Sequence, residues 1–205
     1  MSSAVSSRSP IAIVGIGAIF PQSIGVGAFW NNILRGNDLL TEIPASHWLL
    51  EDYYDSDLSA PDMTYAQKGG FLPDVDFDPI EWGVPPSIIP ATDTTQLLAL
   101  IIAKKCMEEA HNGDFQETDL NRISCILGAT SAQELLVNMG SRLQHPIWRK
   151  VLREHGLPES QVQKICTDIA GNYTPWVEST FPGLLGNVIS GRITNRFDLG
   201  GINSV

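Results

Sequence analysis

Ile11-Ala12-Ile13-Val14-Gly15-Ile16-Gly17 is a short apolar run, rich in β-branched residues, that closes on glycines. Apolar at every position rather than alternately, it predicts a buried, central strand of a mixed or parallel sheet. Beyond the turn from Pro21 to Gly27, Phe29, Trp30, Ile33 and Leu34 recur at helical spacing, and Gly36 stands where a helix-ending glycine belongs. The chain therefore opens β-loop-α.

The same alternation resumes further along. Asp93 followed by Gln96 has the spacing of a capping box, and Leu97 to Ala103 is apolar on nearly every side before Lys104, Lys105, Glu108 and Glu109 restore a polar face. This predicts a buried helix closing near Asn112-Gly113, and Ile123 to Ala129 predicts a second buried strand. Between Ser131 and Ala170 the pattern is helical in two or three pieces, with Pro146 and Pro158 placed to begin helices and Gly156 and Gly171 to end them. Val162, Ile165, Cys166 and Ile169 mark one apolar helix face. A last helix near Asn187 to Phe197 contains Gly191, whose intrinsic penalty suggests a close backbone contact there. Ile202 to Val205 reads as the start of a further strand. The fold class is α/β, a mixed sheet with a buried helix.

Thr41 to Pro90 is different: it holds seven prolines and only short strand-like pieces such as Tyr65 to Leu72. It also carries Trp48, Tyr53, Tyr54, Tyr65, Phe71, Phe77 and Trp82, which a linker would lack, so it reads as an ordered excursion. Residues 1–9, Ser-rich and without an apolar core, read as a flexible tail rather than a targeting segment.

Composition bounds the function. With 43% hydrophobic and 18% charged residues, the 205-residue chain has the make-up of a folded protein. A net charge of -10 leaves no cluster of Lys and Arg for phosphate-backbone binding, so nucleic acid is excluded as a partner. No apolar run approaches the ~20 residues of a membrane span. Three separated cysteines, Cys106, Cys125 and Cys166, suggest neither disulfides nor zinc and fit a reducing, cytoplasmic setting.

No complete active site is visible. Gly15-Ile16-Gly17 is half a dinucleotide fingerprint, but Phe20 replaces the third glycine and Pro21 follows where the helix should already run, so it reads as a turn. Glu51, Asp52, Asp55 and Asp57 lack the spacing of a calcium loop and read as a solvated loop. His47, His111, His145 and His155 form no metal-binding motif. The cysteines fall late in a helix, inside a strand and on an apolar helix face, which makes each a small core residue.

Several strings, in order, resemble the ketosynthase domain of multifunctional fatty-acid and polyketide synthases. Pro10 to Gly17 with Phe20-Pro21 is similar to the family's first strand, and Phe29-Trp30-Asn31-Asn32-Ile33-Leu34-Arg35-Gly36-Asn37-Asp38 to its first helix. Ile43 to Trp48, Asp52-Tyr53-Tyr54-Asp55 and Gly69-Gly70-Phe71-Leu72 resemble its long excursion, and Phe181 to Gly201 the stretch leading into its active-site cysteine. Asp93-Thr94-Thr95-Gln96 stands where modular polyketide synthases carry Asp-Pro-Gln, and Leu143 to Trp176 resembles polyunsaturated-fatty-acid and heterocyst-glycolipid synthases.

The resemblance implies a thiolase-like fold, of which residues 10–205 would supply the N-terminal half, incomplete, and stop before the catalytic cysteine. That cysteine, in a Val-Asp-Ala-Ala-Cys string expected past Val205, would accept an acyl group from the phosphopantetheine of an acyl carrier protein. Two later histidines would assist decarboxylation of a malonyl unit and the ensuing Claisen condensation. No catalytic, cofactor-binding or metal residue is thus assigned within the chain, and no cofactor is expected to bind it directly. The implied partners are a carrier-protein domain, the rest of the ketosynthase domain and a second copy in a homodimer. Made alone, the chain should be inactive, with an unpaired sheet edge and a large apolar patch that leave it aggregated, molten or dependent on a partner. An alternative is a non-catalytic subunit that pairs with a complementary ketosynthase half.

Overall fold

The computed structural model describes residues 10–111, 118–130 and 133–205. They fall into two compact units, one of residues 10–76 with 104–111, the other of residues 77–103 with 118–130 and 133–205. The predicted tail, residues 1–9, and the predicted helix end at Asn112-Gly113 lie outside the described residues.

In the first unit, β1 (Ile19–Phe20) and β2 (Ser23–Ile24) form a tight antiparallel hairpin, with Ile19 opposite Ile24 and Phe20 opposite Ser23. Helix α1 (Val26–Arg35) follows and packs its Phe29 ring on Phe20, centroids 3.9 Å apart. Its Asn32 amide donates to the Ser23 hydroxyl at 2.9 Å, which fastens helix to hairpin. Gly36 takes φ 65°, so that its own N–H reaches the Ile33 carbonyl and the Asn37 N–H the Asn32 carbonyl. That double closure is a Schellman cap, as the glycine predicts. The excursion then supplies β3 (Thr41–Glu42), the single turn α2 (Leu50–Tyr53) and β4 (Lys68–Gly69), with β3 and β4 antiparallel. The acidic cluster, predicted on a solvated loop, begins within α2 at Glu51 and Asp52 and continues past it to Asp55 and Asp57. Asp57 is exposed, and hydrogen bonds from the Ser59 backbone and hydroxyl hold its carboxyl below the usual range.

The opening run departs from its reading. Residues 11–17 lie outside every strand, with Ile11 97% and Ile13 82% exposed. A strand needs a neighbour with free backbone groups, and this segment is instead laid against the last turns of α3 (Thr94–His111). The Ile16 N–H donates to the Glu109 carboxylate, and the Cys106 thiol lies 3.4 Å from the Gly15 carbonyl oxygen. Gly15 is required there: a Cβ would run into the Cys106 carbonyl and the Ala110 backbone.

The second unit is mostly helical. A 3₁₀ turn over Pro86–Ala91 leads into α3, whose Leu100 and Ile101 are buried. Strand β5 (Cys125–Ile126) is shorter than the predicted Ile123 to Ala129 and is buried on one side only, since Ile126 is 75% exposed. Three helices follow as predicted, α4 (Gln133–Arg142), α5 (His145–Glu154) and α6 (Glu159–Ala170), with Val162 and Cys166 turned into the core. Gly156, at φ 79°, closes α5 with a second Schellman cap: its N–H reaches the Arg153 carbonyl and the Leu157 N–H that of Leu152. Gly171 ends α6 differently, in a right-handed conformation, while Arg142 donates from its guanidinium to the carbonyls of Ala170 and Tyr173. The last elements are α7 (Thr180–Leu184), α8 (Asn187–Arg196) and β6 (Asn203–Ser204), which pairs in parallel with β5.

The α5–α6 hairpin carries a two-pronged ion pair, Arg153 Nε and Nη2 to the Glu159 carboxylate at 2.8 and 2.6 Å. Those bonds hold the Glu159 carboxyl below its ordinary 4.5. A lowered folded-state pKa means that the unfolded chain takes up the proton first, so the contribution is complete above about pH 5 and fades as pH falls through the folded value. Glu159→Gln should remove that acid-side loss while barely altering the neutral-pH melt, because the pair is exposed. Melts at pH 7 and pH 3.5 compared between the two proteins would measure it.

Candidate functional site

The most constrained polar arrangement in the second unit gathers around the start of α3. Asp93, buried, caps the helix by accepting from the Thr95 N–H at 3.0 Å. The capping box predicted from Asp93 and Gln96 is only half formed, because Gln96 turns inward instead of reaching back. Its side chain, 1% exposed in an otherwise apolar helix, donates to the carbonyl oxygens of Pro182 at 3.0 Å and Gly183 at 2.9 Å, with that of Leu185 at 3.4 Å. Its own carbonyl oxygen accepts from Arg192 Nε on α8 at 2.6 Å. One amide thus satisfies the turn between α7 and α8 and a guanidinium at once. Burial pulls the Arg192 pKa below its usual value, yet a guanidinium stays charged at any relevant pH.

Glycines make this approach possible. Gly183 is buried with the Ala91 carbonyl where its Cβ would stand. Gly200 and Gly201 press against Asn121 and the Ile123 carbonyl in the same way. Gly191 does not: nothing lies within 4 Å of where its Cβ would be, so the close contact predicted at that position is absent. The tight packing falls on Gly183 within α7 and on Gly200 and Gly201 after α8, rather than on the glycine inside α8.

From α8 the chain passes through Asp198, at φ 53°, and is zipped onto the segment before and through β5. Gly200 N–H donates to Leu120 O at 3.0 Å, Gly201 N–H to Ile123 O at 3.1 Å, Ile202 N–H to Ser124 Oγ at 3.1 Å, Cys125 N–H to Ile202 O at 2.9 Å and Leu127 N–H to Ser204 O at 3.0 Å. The arrangement can hold the end of β6 in a fixed register and direction. Cys125 lies in the ladder with its thiol pKa pushed up by burial, and Cys166 is buried on α6, so neither presents an exposed sulfur. Cys106 lies against Gly15 in the first unit.

His47 packs edge-on against Phe71, His111 ends α3, and His145 and His155 bound α5. Among the described residues no group of three His, Cys, Asp or Glu side chains could hold a metal ion, and no helix is long and apolar enough to cross a membrane. Sequence reasoning missed the hub itself. Its signal was a glutamine opening a helix of leucines and isoleucines, which the capping-box spacing explained too readily.

Residues 8–205 match the family model described as "Beta-ketoacyl synthase, N-terminal domain". The chain is 33% identical over 195 residues, 95% of its length, to a polyunsaturated fatty acid synthase polypeptide of a Thraustochytrium species, and spans 7% of that protein. It is 37% identical over 102 residues, 49% of its length, to "Polyketide synthase PksN" of Bacillus subtilis, and spans 2% of that one. Among solved structures, "PfaC Keto synthase-Chain length factor" superposes with a TM-score of 0.76 at 17% identity, covering 99% of this chain and 21% of its own. The oxazolomycin ketosynthase domain OzmH KS7 of Streptomyces albus gives 0.65 at 20% identity, covering 94% and 28%. The fold is therefore that of the N-terminal part of thiolase-like ketosynthase domains, as the ordered strings predict.

Proposed function

The chain belongs to the β-ketoacyl synthase family as its N-terminal domain, and from that membership we propose that it forms the front of a 3-oxoacyl-[acyl-carrier-protein] synthase. The family is one of condensing enzymes. In the proposed reaction a cysteine thiolate takes the acyl group from a carrier-bound thioester and releases the carrier thiol. A malonyl thioester then loses its carboxylate as CO₂, and the resulting enolate carbon attacks the acyl carbon and expels the cysteine thiolate. The product is a 3-oxoacyl thioester on the carrier. The cysteine and the assisting histidines come from sequence outside these 205 residues, and this chain supplies the β5–β6 ladder that fixes the register of β6. Substrates arrive on the phosphopantetheine of an acyl carrier protein; the working enzyme is a cytoplasmic homodimer.

The observation that carries this reading is the match across residues 8–205, supported by 33% identity over 195 residues to a polyunsaturated fatty acid synthase polypeptide. That alignment spans nearly twice the length of the one to the Bacillus polyketide synthase, which favours the iterative, long-chain subgroup. The test is radiolabelled CO₂ release from malonyl-carrier protein in the presence of an acyl thioester. A polypeptide continued through the cysteine and histidines should release CO₂ and form a 3-oxoacyl product; residues 1–205 alone should do neither. Turnover by the chain alone would overturn the assignment of the chemistry to residues outside it.

A pairing role for the chain as a non-catalytic component draws on one observation, the exposure of Ile11, Ile13, Val14 and Ile16 at 52–97%. Such a run calls for a cover. Co-purification of the chain with a separately encoded ketosynthase half would favour that reading over the first.

A further inference from the structure

A cavity of about 450 Å³ opens among the end of α4, the first half of α5 and the last turn of α6. That volume is within the ~300–1,000 Å³ of small-molecule sites. Its charge-bearing side chains, Arg142, His145 and Arg149, are all basic, in a chain with 23 acidic residues against 13 Lys and Arg. No described carboxylate lines it. The three bases are not equivalent. Arg142 is committed to the carbonyls of Ala170 and Tyr173 that close α6. His145 and Arg149 stand one turn apart on α5, on one face of the helix. The next base along that face, Arg153, is held by Glu159, whose carboxyl also feels the Arg149 charge, while Arg149 itself is exposed and lines the cavity.

The remaining wall is mostly apolar, with Thr167 and Thr174 as its polar members. Met139 forms its buried base, while Leu143 and Trp176 stand at the opening, 56% and 60% exposed. An exposed tryptophan and leucine beside two basic side chains offer one kind of ligand both an apolar wall and a site for a charged head. We infer that the cavity binds an amphiphilic anion, its carboxylate or phosphate head held by Arg149 and His145 and its alkyl stem lying along Leu143, Trp176 and Met139. Guanidinium recognises either head through paired charge-assisted hydrogen bonds, and a histidine ring offers an N–H in either protonation state. The site lies apart from the Gln96 hub and takes a free anion rather than a thioester, so it stands whether or not the condensing reaction is correctly assigned.

The probe is a dodecanoate analogue with a diazirine near its tail, photolysed with the full-length protein, the adducts being mapped by peptide mass spectrometry. Label is expected on the peptides carrying Leu143 or Trp176. Unlabelled dodecanoate and dodecyl phosphate should compete, and whichever competes at lower concentration identifies the head; dodecanol should compete poorly. Arg149→Gln should weaken labelling about tenfold, while Lys150→Gln, which removes the same charge from α5 outside the cavity, should leave it unchanged. The inference is overturned if these peptides take no label, if dodecanol competes as well as dodecanoate, or if the two substitutions act alike.

Discussion

Gln96→Ala is expected to destabilise the ketosynthase fold by about 3 kcal/mol, read as a fall of roughly 6–12 °C in the melting midpoint. The substitution removes a side-chain N–H donor from the buried Gly183 carbonyl, a second donor from the Pro182 carbonyl and the acceptor of Arg192 Nε. A buried polar group left without a partner costs its desolvation, which exceeds what the hydrogen bond itself contributes. Gln96→Glu sharpens the test. It keeps the size and the acceptor for Arg192 but presents oxygen to carbonyl oxygens, so it should be damaging despite being nearly isosteric. An unchanged melt for the glutamate variant would mean that the donor function of this side chain is dispensable, and the hub would reduce to shape alone.

Two alanine substitutions, eight residues apart, should act in opposite directions. Gly183→Ala places a methyl group inside the contact shell of the Ala91 carbonyl oxygen, with the Ala91 carbonyl carbon at 3.0 Å and the Leu135 side chain at 3.1 Å behind it. Backbone on one side and a packed core residue on the other leave little room to yield. A loss of about 1–3 kcal/mol, or failure to accumulate as soluble protein, is expected. Gly191→Ala, in the middle of α8 with nothing within 4 Å of the new atom, removes a helix-breaking residue at no steric cost. It should raise stability by about 0.5–1 kcal/mol. Chemical denaturation of the pair decides the matter, and a destabilising Gly191→Ala would show that the space beside α8 is needed.

That contrast also shows what the sequence could reveal. Helix ends were legible because their causes are local: Gly36 and Gly156 each adopt positive φ where the spacing of apolar residues runs out, and Pro158 stands as the N-cap of α6. The α/β alternation and the ordered strings were enough for the family. Ile11–Gly17 was misread because its β-branched composition reports burial, not the availability of a neighbouring strand, and its Ile16 N–H goes to the Glu109 side chain. Gly191 was misread because helix propensity says that a glycine is costly without saying what it is for. Gln96 is the deepest case: its partners lie 86 to 96 residues away, beyond the reach of any local pattern.

The parallel pairing of β5 with β6 sets a schedule for the chain during its synthesis. Ser124 and Ile202, which flank that ladder, are 78 residues apart. At ~5–20 residues per second a ribosome needs roughly 4–16 s to cover that interval. The α5–α6 hairpin, whose contacts are local, can close within microseconds to milliseconds of emerging. Cys125 and Ile126 must therefore wait, with their backbone groups unpaired, while α4 to α8 are made behind them. For those seconds the nascent chain offers a short edge that β6 is built to match, which makes the interval before β6 emerges the one in which a holdase chaperone, or slow codons placed just after β5, would change the yield most.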